Sequence, residues 1–246
     1  VLSILIWEPT IFFFTLLFIY EIIDRKVDKF NFELFKISIS FIPSIIIALI
    51  IIFDPLTKPQ HETMALVLKN EFNQSCYMAC ALLSNKSTII QQFEGNFGKY
   101  SLEVFVRYFL IIFIGFYPLN LLIKNSSLKT KNLIFSYFFK NLLKLFWICL
   151  VPVTILFAMG YDWGRWVNIT YVFLALIYFK LLIDSHIEIN FKNLEQTFLY
   201  KIKGKTYVIF FIIFCFGWNP KTVITGDVAS FPAYRIPYKV FKILNN

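Results

Sequence analysis

Within Met159-Gly160-Tyr161-Asp162-Trp163-Gly164-Arg165-Trp166 a carboxylate, a guanidinium, two indoles and a phenol fall close together. These groups have a shared chemistry. A guanidinium grips phosphate oxygens with two parallel N–H donors. A carboxylate within reach of a hydroxyl can take its proton, and indole and phenol faces stack on sugar rings. An ordinary tight turn needs glycine and a polar residue or two, so opposite charges between indoles call for another explanation.

More polar groups fall on the same side once the apolar runs are laid out. Glu8 stands beside Pro9 inside a Phe-rich run, where the missing proline N–H leaves the carbonyl of Leu5 without its helical partner. A carboxylate inside a membrane span marks a functional site or an internal pairing. Arg107 enters a later run near its start, His61 and Glu62 open a long polar insert, and Arg235 and Lys239 lie on the tail. Asp162, Arg165 and Glu8 are the catalytic candidates; Arg107, Trp163, Trp166, Tyr161, His61, Glu62 and Arg235 are the candidates for holding a substrate. Bland readings stand beside these. Asp162 and Arg165 can be a local ion pair closing a turn, Trp163 and Trp166 can be interface anchors, and Glu8 can pair with Arg107.

The elements that position these residues are set by composition. Hydrophobic residues make up 58% of the chain, aromatic residues 20% and charged residues 16%; soluble domains are nearer about 45–50% apolar and about 25% charged. The reading is an all-α, polytopic transmembrane helix bundle of about six spans, forming one integral membrane domain over 1–246, with one long extracytoplasmic loop at 54–103. A bilayer core of about 30 Å needs roughly 20 apolar residues per helix. The expected spans are Val1–Ile23, Ile37–Phe53, Val104–Ile123, Leu142–Met159, Trp166–Ile183 and Phe198–Trp218. The last crosses only if Lys201, Lys203 and Lys205 snorkel; otherwise it is re-entrant. Runs such as Ile45-Ile46-Ile47-Ala48-Leu49-Ile50 lack the period-two alternation of a β-barrel. The chain opens on Val1 directly in apolar sequence, which reads as the C-terminal part of a longer protein.

Basic residues set the orientation. Segments 24–36, 124–141 and 184–205 carry 12 of the 24 Lys and Arg and fall on one side, which the positive-inside rule makes cytoplasmic. Asp162, the loop 54–103 and the tail from Asn219 then face outward from a bacterial inner membrane. The net charge of +9 is mostly topology; no basic patch lies on a soluble module, so nucleic acid is not an expected partner. In the loop, 62–68 and 76–83 read as short helices that can fold back over the membrane face. Cys76 and Cys80 are spaced for one helix face, with a disulfide as the less favoured alternative, while Cys149 and Cys215 read as apolar fillers. His61 and His186 fall on opposite sides, so no metal site and no cofactor are expected. Asp184, His186 and Glu188 read as a solvated helix end.

The order Ile6-Trp7-Glu8-Pro9, then Arg107-Tyr108, then Asp162-Trp163-Gly164-Arg165-Trp166 resembles the EpsG-like or Wzy-type O-antigen and capsule polymerases. Many of those have a His-Glu pair where Trp7-Glu8 stands here. The resemblance implies transfer of a growing glycan from one polyprenyl pyrophosphate onto another repeat unit, with membrane lipid and the polyprenyl-linked glycan as partners. Two other classes stay open: a transporter or flippase for a lipid or polar solute, and a structural subunit with partners in a membrane complex.

Overall fold

The computed structural model describes residues 8–27, 31–53, 56–76, 89–129, 141–160, 162–202, 204–218, 240 and 243–244. A 3₁₀ segment, Glu8–Phe13, leads into α1 (Phe14–Asp24), followed by α2 (Phe32–Phe53), α3 (Lys58–Phe72), α4 (Ile89–Phe97) and α5 (Leu102–Lys124). Strand β1 (Ser126–Leu128) precedes α6 (Leu142–Cys149), a 3₁₀ turn at Val151–Val153 and α7 (Thr154–Met159). The long α8 (Trp163–Ile183) is followed by β2 (Ile187–Ile189), α9 (Phe191–Glu195), α10 (Phe198–Lys201) and α11 (Lys205–Gly217).

Four stretches are long and apolar enough to cross a membrane: Phe32–Ile51, Leu102–Lys124, Leu142–Met159 and Trp163–Ile183. Their outward faces carry Ile42, Ile46 and Ile50 on α2 and Phe105, Phe109 and Phe113 on α5, all exposed. Water does not tolerate apolar surface of that extent on a monomer. The chain is an all-α integral membrane protein.

Helix direction follows from where the ends meet. β1 and β2 pair antiparallel, Ser126 opposite Ile189 and Leu128 opposite Ile187, which ties the C-terminal ends of α5 and α8 together. Asp24, the last residue of α1, reaches His186 of the same group. This end, with Arg25, Lys26, Lys124, Lys129 and Lys180 around it, is the basic end. At the opposite, aromatic end, α7 finishes against α4 and the start of α8. The core between them is built from Phe13, Leu16, Phe116, Phe146, Leu174 and Tyr178, with Phe13 stacked on Phe173 at 4.5 Å.

Two expected spans are differently made. The Leu142–Met159 stretch breaks at Pro152, which cannot donate to the carbonyl one turn back. The Val153 N–H, which a regular helix would send to Cys149, goes to the Leu150 carbonyl at 3.0 Å. The Thr15 hydroxyl then takes the Cys149 carbonyl at 2.6 Å, so the backbone group freed by the break is satisfied inside the bundle. The Phe198–Trp218 stretch is not one helix. Gly204 at φ 65° turns the chain, a conformation that glycine adopts without penalty. That leaves α11 with 13 residues, about 20 Å at 1.5 Å per residue, short of a full crossing. Trp218, just past its end, lies against Gly115 and Tyr171 in the middle of α5 and α8. A Cβ on Gly115 would fall inside the Trp218 ring, so only glycine leaves the notch. The Trp218 indole N–H donates to the Ile111 carbonyl at 2.9 Å.

In the insert, α3 is longer than the expected 62–68 and starts with a capping box in which Thr57 and Gln60 bond reciprocally. Cys76 is not helical and is disulfide-bonded, against the expectation of a free helical thiol; residues 77–83 lie outside the described residues.

Candidate functional site

Aligned carbonyls at the end of a helix need donors that the helix itself cannot supply. At the C-terminus of α7 they come from side chains. Trp163 Nε1 donates to the Phe157 carbonyl at 2.7 Å, the Tyr100 hydroxyl donates to Phe157 and Ala158 at 2.9 and 3.1 Å, and Asn96 Nδ2 donates to Met159 at 2.7 Å. Burial pushes the Tyr100 phenol above its ordinary value, a shift partly offset by Trp163, so it stays a donor across the neutral range. Asn96 and Tyr100 escaped the sequence reading. Nothing in Asn96-Phe97-Gly98-Lys99-Tyr100 points to a role until the end of α7 is known to lie beside it.

The motif itself is arranged differently from a loop. Helix α8 starts at Trp163, so Trp163-Gly164-Arg165-Trp166 is its first turn and Asp162 sits at the N-cap. The Asp162 carbonyl accepts from the N–H groups of Arg165 and Trp166, at 2.9 and 3.1 Å. Its side chain does not cap; Oδ2 instead meets Nη1 of Arg165 at 3.1 Å, with the two side chains 27% and 52% exposed. This is the local ion pair that the sequence left open. A pair this open to solvent stabilises by only about 0–1 kcal/mol.

Trp163 and Trp166 are buried, at 6% and 9% exposure. Trp163 is enclosed by Tyr100, Phe105, Tyr108 and Phe157. Expected to hold a substrate or to anchor at the interface, both indoles belong to the core, because helix α8 begins early enough to point them into it. They offer no free face to a sugar.

Arg107 is brought to the same end. Its guanidinium is 16% exposed and bonds Glu103, one turn earlier on α5, at 2.6 Å. The carboxylate it holds is therefore Glu103, whose side chain is 72% exposed; the side chain of Glu8 is not among those described. The link to Asp162 runs through Tyr108, whose phenol lies against the Gly164 backbone within electrostatic reach of both Arg107 and Asp162. One neighbourhood thus holds Glu103, Arg107, Tyr108, Asp162 and Arg165. His61 and Glu62 are elsewhere, on α3: His61 Nε2 is 3.5 Å from Cys76 Sγ, and Glu62 and Cys76 line a shallow cavity. Tyr161, Arg235, Lys239 and the Ile6-Trp7 pair lie outside the described residues.

The fold and this cluster define a class, an all-α integral membrane protein with paired charges and a packed aromatic cluster at one end. Comparison with family models, curated proteins and solved structures finds no match to this chain.

Proposed function

We propose that the chain acts on a polyprenyl-linked, phosphate-bearing saccharide at the outer face of a bacterial inner membrane, as a polymerase or glycan transferase. In this reading the aromatic end faces outward and the basic end faces the cytoplasm, following the charge asymmetry. The disulfide at Cys76 agrees, since such bonds persist in oxidising compartments. With the four long apolar stretches, five crossings are reached if residues before Glu8 complete the first span, and α11, too short to cross, enters as a half-span.

The observation that carries the reading is the half-exposed Arg165 guanidinium in the first turn of α8. A helix N-terminus adds partial positive charge and N–H groups to the guanidinium, a combination suited to a phosphate. The Asp162 pair is weak enough to open at little cost. Phosphate would take the guanidinium, freeing the Asp162 carboxylate to accept the proton of an acceptor hydroxyl. Arg107, steadied by Glu103, supplies a second positive charge on the flank. Saccharide stacking does not fall to Trp163 or Trp166. A transport reading draws on the two 3₁₀ segments, Glu8–Phe13 and Val151–Val153, which lie against each other, but Phe13 and Val153 are packed into the core there.

The test is glycan chain length on a gel after complementing a strain that lacks the gene. Arg165→Lys should shorten or abolish the polymer, because an ammonium cannot make the two-pronged contact. Asp162→Asn should do the same if its carboxylate takes a proton. Polymer of wild-type length from both variants, at equal protein level, returns the pair to a folding role. Sidedness is checked separately in intact cells with an impermeant maleimide: Gly98→Cys should label and Ser127→Cys should not.

A further inference from the structure

At the basic end Asp24, Asp184 and His186 converge from α1, the end of α8 and the start of β2. The geometry points to a binding site there for a divalent transition-metal ion, with these three side chains as ligands. One ligand atom from each lies within 4.8 Å of the others. His186 Nε2 and Asp24 Oδ1 are 3.1 Å apart. Donors bound to one metal at about 2.0–2.2 Å, and separated by roughly 90–110° around it, stand about 2.8–3.6 Å from each other. Closing the first two ligands on an ion therefore needs little movement. One imidazole with two carboxylates is a borderline-to-hard donor set, suited to zinc, manganese or ferrous iron and poorly suited to copper(I).

The backbone holds the ligands in place. Ser185 takes φ 60°, a left-handed conformation unusual outside glycine, between Asp184 and His186. The turn it makes is closed by the N–H groups of Ser185 and His186, bonded to Leu182 and Leu181 at 3.1 and 2.9 Å. The His186 carbonyl accepts from the Lys129 N–H at 2.9 Å, which fixes the residue to the strand pair. Its ring is 12% exposed, against 45% for Asp24, so the site opens to solvent on the Asp24 side.

Asp184 is already in use. Oδ1 holds Lys180 Nζ at 2.9 Å, and Oδ2 accepts from the Tyr20 hydroxyl at 3.2 Å. The Lys180 side chain is 56% exposed and can swing into water, while the long Tyr20 bond leaves that oxygen weakly held. An entering cation takes over the charge compensation that Lys180 now supplies.

The experiment uses the full chain, purified in detergent through a tag free of histidine, titrated with Co²⁺ and followed by its visible absorption and by calorimetry. One equivalent should bind, displaceable by Zn²⁺. His186→Gln and Asp24→Asn should each weaken binding by about tenfold or more. Lys180→Gln keeps the three ligands and removes a competing charge, so it should bind at least as tightly as the wild type. Because the chain has only two histidines, His61→Gln identifies an adventitious site. Absence of stoichiometric binding, binding that survives His186→Gln, or weakened binding in Lys180→Gln overturns the assignment. If the ligand variants do not fold, the wild type still decides. Zn²⁺ should protect His186, and not His61, from diethyl pyrocarbonate as read by mass spectrometry; equal modification of His186 with and without Zn²⁺ overturns it.

Discussion

At the aromatic end, side chains of Asn96, Tyr100 and Trp163 take the last carbonyls of α7 within a packed cluster of rings. At the basic end, by contrast, Lys180, Asp184, Asp24 and His186 meet in contacts open to water, and a short pair of strands does the joining. The contrast separates two uses of polar groups. Where water is excluded, a lost hydrogen bond leaves an orphaned carbonyl and carries its full desolvation cost; where water enters, it replaces the missing partner. The aromatic end is therefore sensitive to single atoms, and the basic end can change its partners, including for an ion.

That contrast predicts a ranking of substitution effects. Trp163→Ala removes the ring at the centre of the aromatic cluster together with one carbonyl donor, and should destabilise by about 3–5 kcal/mol. The check is a fall in the thermal midpoint of the detergent-solubilised protein, and a midpoint unchanged from wild type would break the comparison at its strongest point. Tyr100→Phe keeps the ring and deletes the hydroxyl that serves Phe157 and Ala158, so a smaller loss of about 1–3 kcal/mol is expected. Equal effects of the two changes would mean that ring packing contributes little.

Asp184→Asn should have the smallest effect and the clearest pH signature. The Lys180 hydrogen bond, opposed by burial and aided by Tyr20, holds the Asp184 carboxyl below the usual carboxylate range. A carboxyl lowered by folding contributes stability above its unfolded value, and that contribution is lost as pH falls through the folded value. The difference between wild type and Asp184→Asn should therefore be constant near neutrality and vanish in acid below the usual carboxylate range. A difference that grows on acidification would contradict the sign.

Much of the bundle was legible in the chain because long apolar runs have few alternatives in lipid. Leu142–Met159 was found whole, although its break at Pro152 depends on Thr15 being close enough to take the Cys149 carbonyl. The start of α8 was placed three residues late, since Asp162 and Arg165 look like loop residues until they are seen pairing along a first helical turn. The indoles illustrate the harder limit. Trp163 and Trp166 serve equally well as membrane anchors, sugar platforms or core, and only the position of Tyr100, Phe105 and Tyr108 decides between them. The cluster at Asp24 was hidden for a different reason. Asp24 is far in sequence from Asp184 and His186, which by themselves read as a solvated helix end, and the left-handed turn at Ser185 gives no signal that a helix-period or strand-period reading can detect.

The notch at Gly115 bears on how the protein is made. Trp218 rests against Gly115 of α5 on one side and Tyr171 of α8 on the other, so neither helix alone provides its seat. Ribosomes deliver the chain in order, and α5 and α8 have both been synthesised before α11 emerges. The indole thus meets a seat that earlier insertion steps have assembled. During biogenesis its docking would depend on successful pairing of those two helices, and a bundle with α5 and α8 misaligned would leave the tryptophan without a place to lodge.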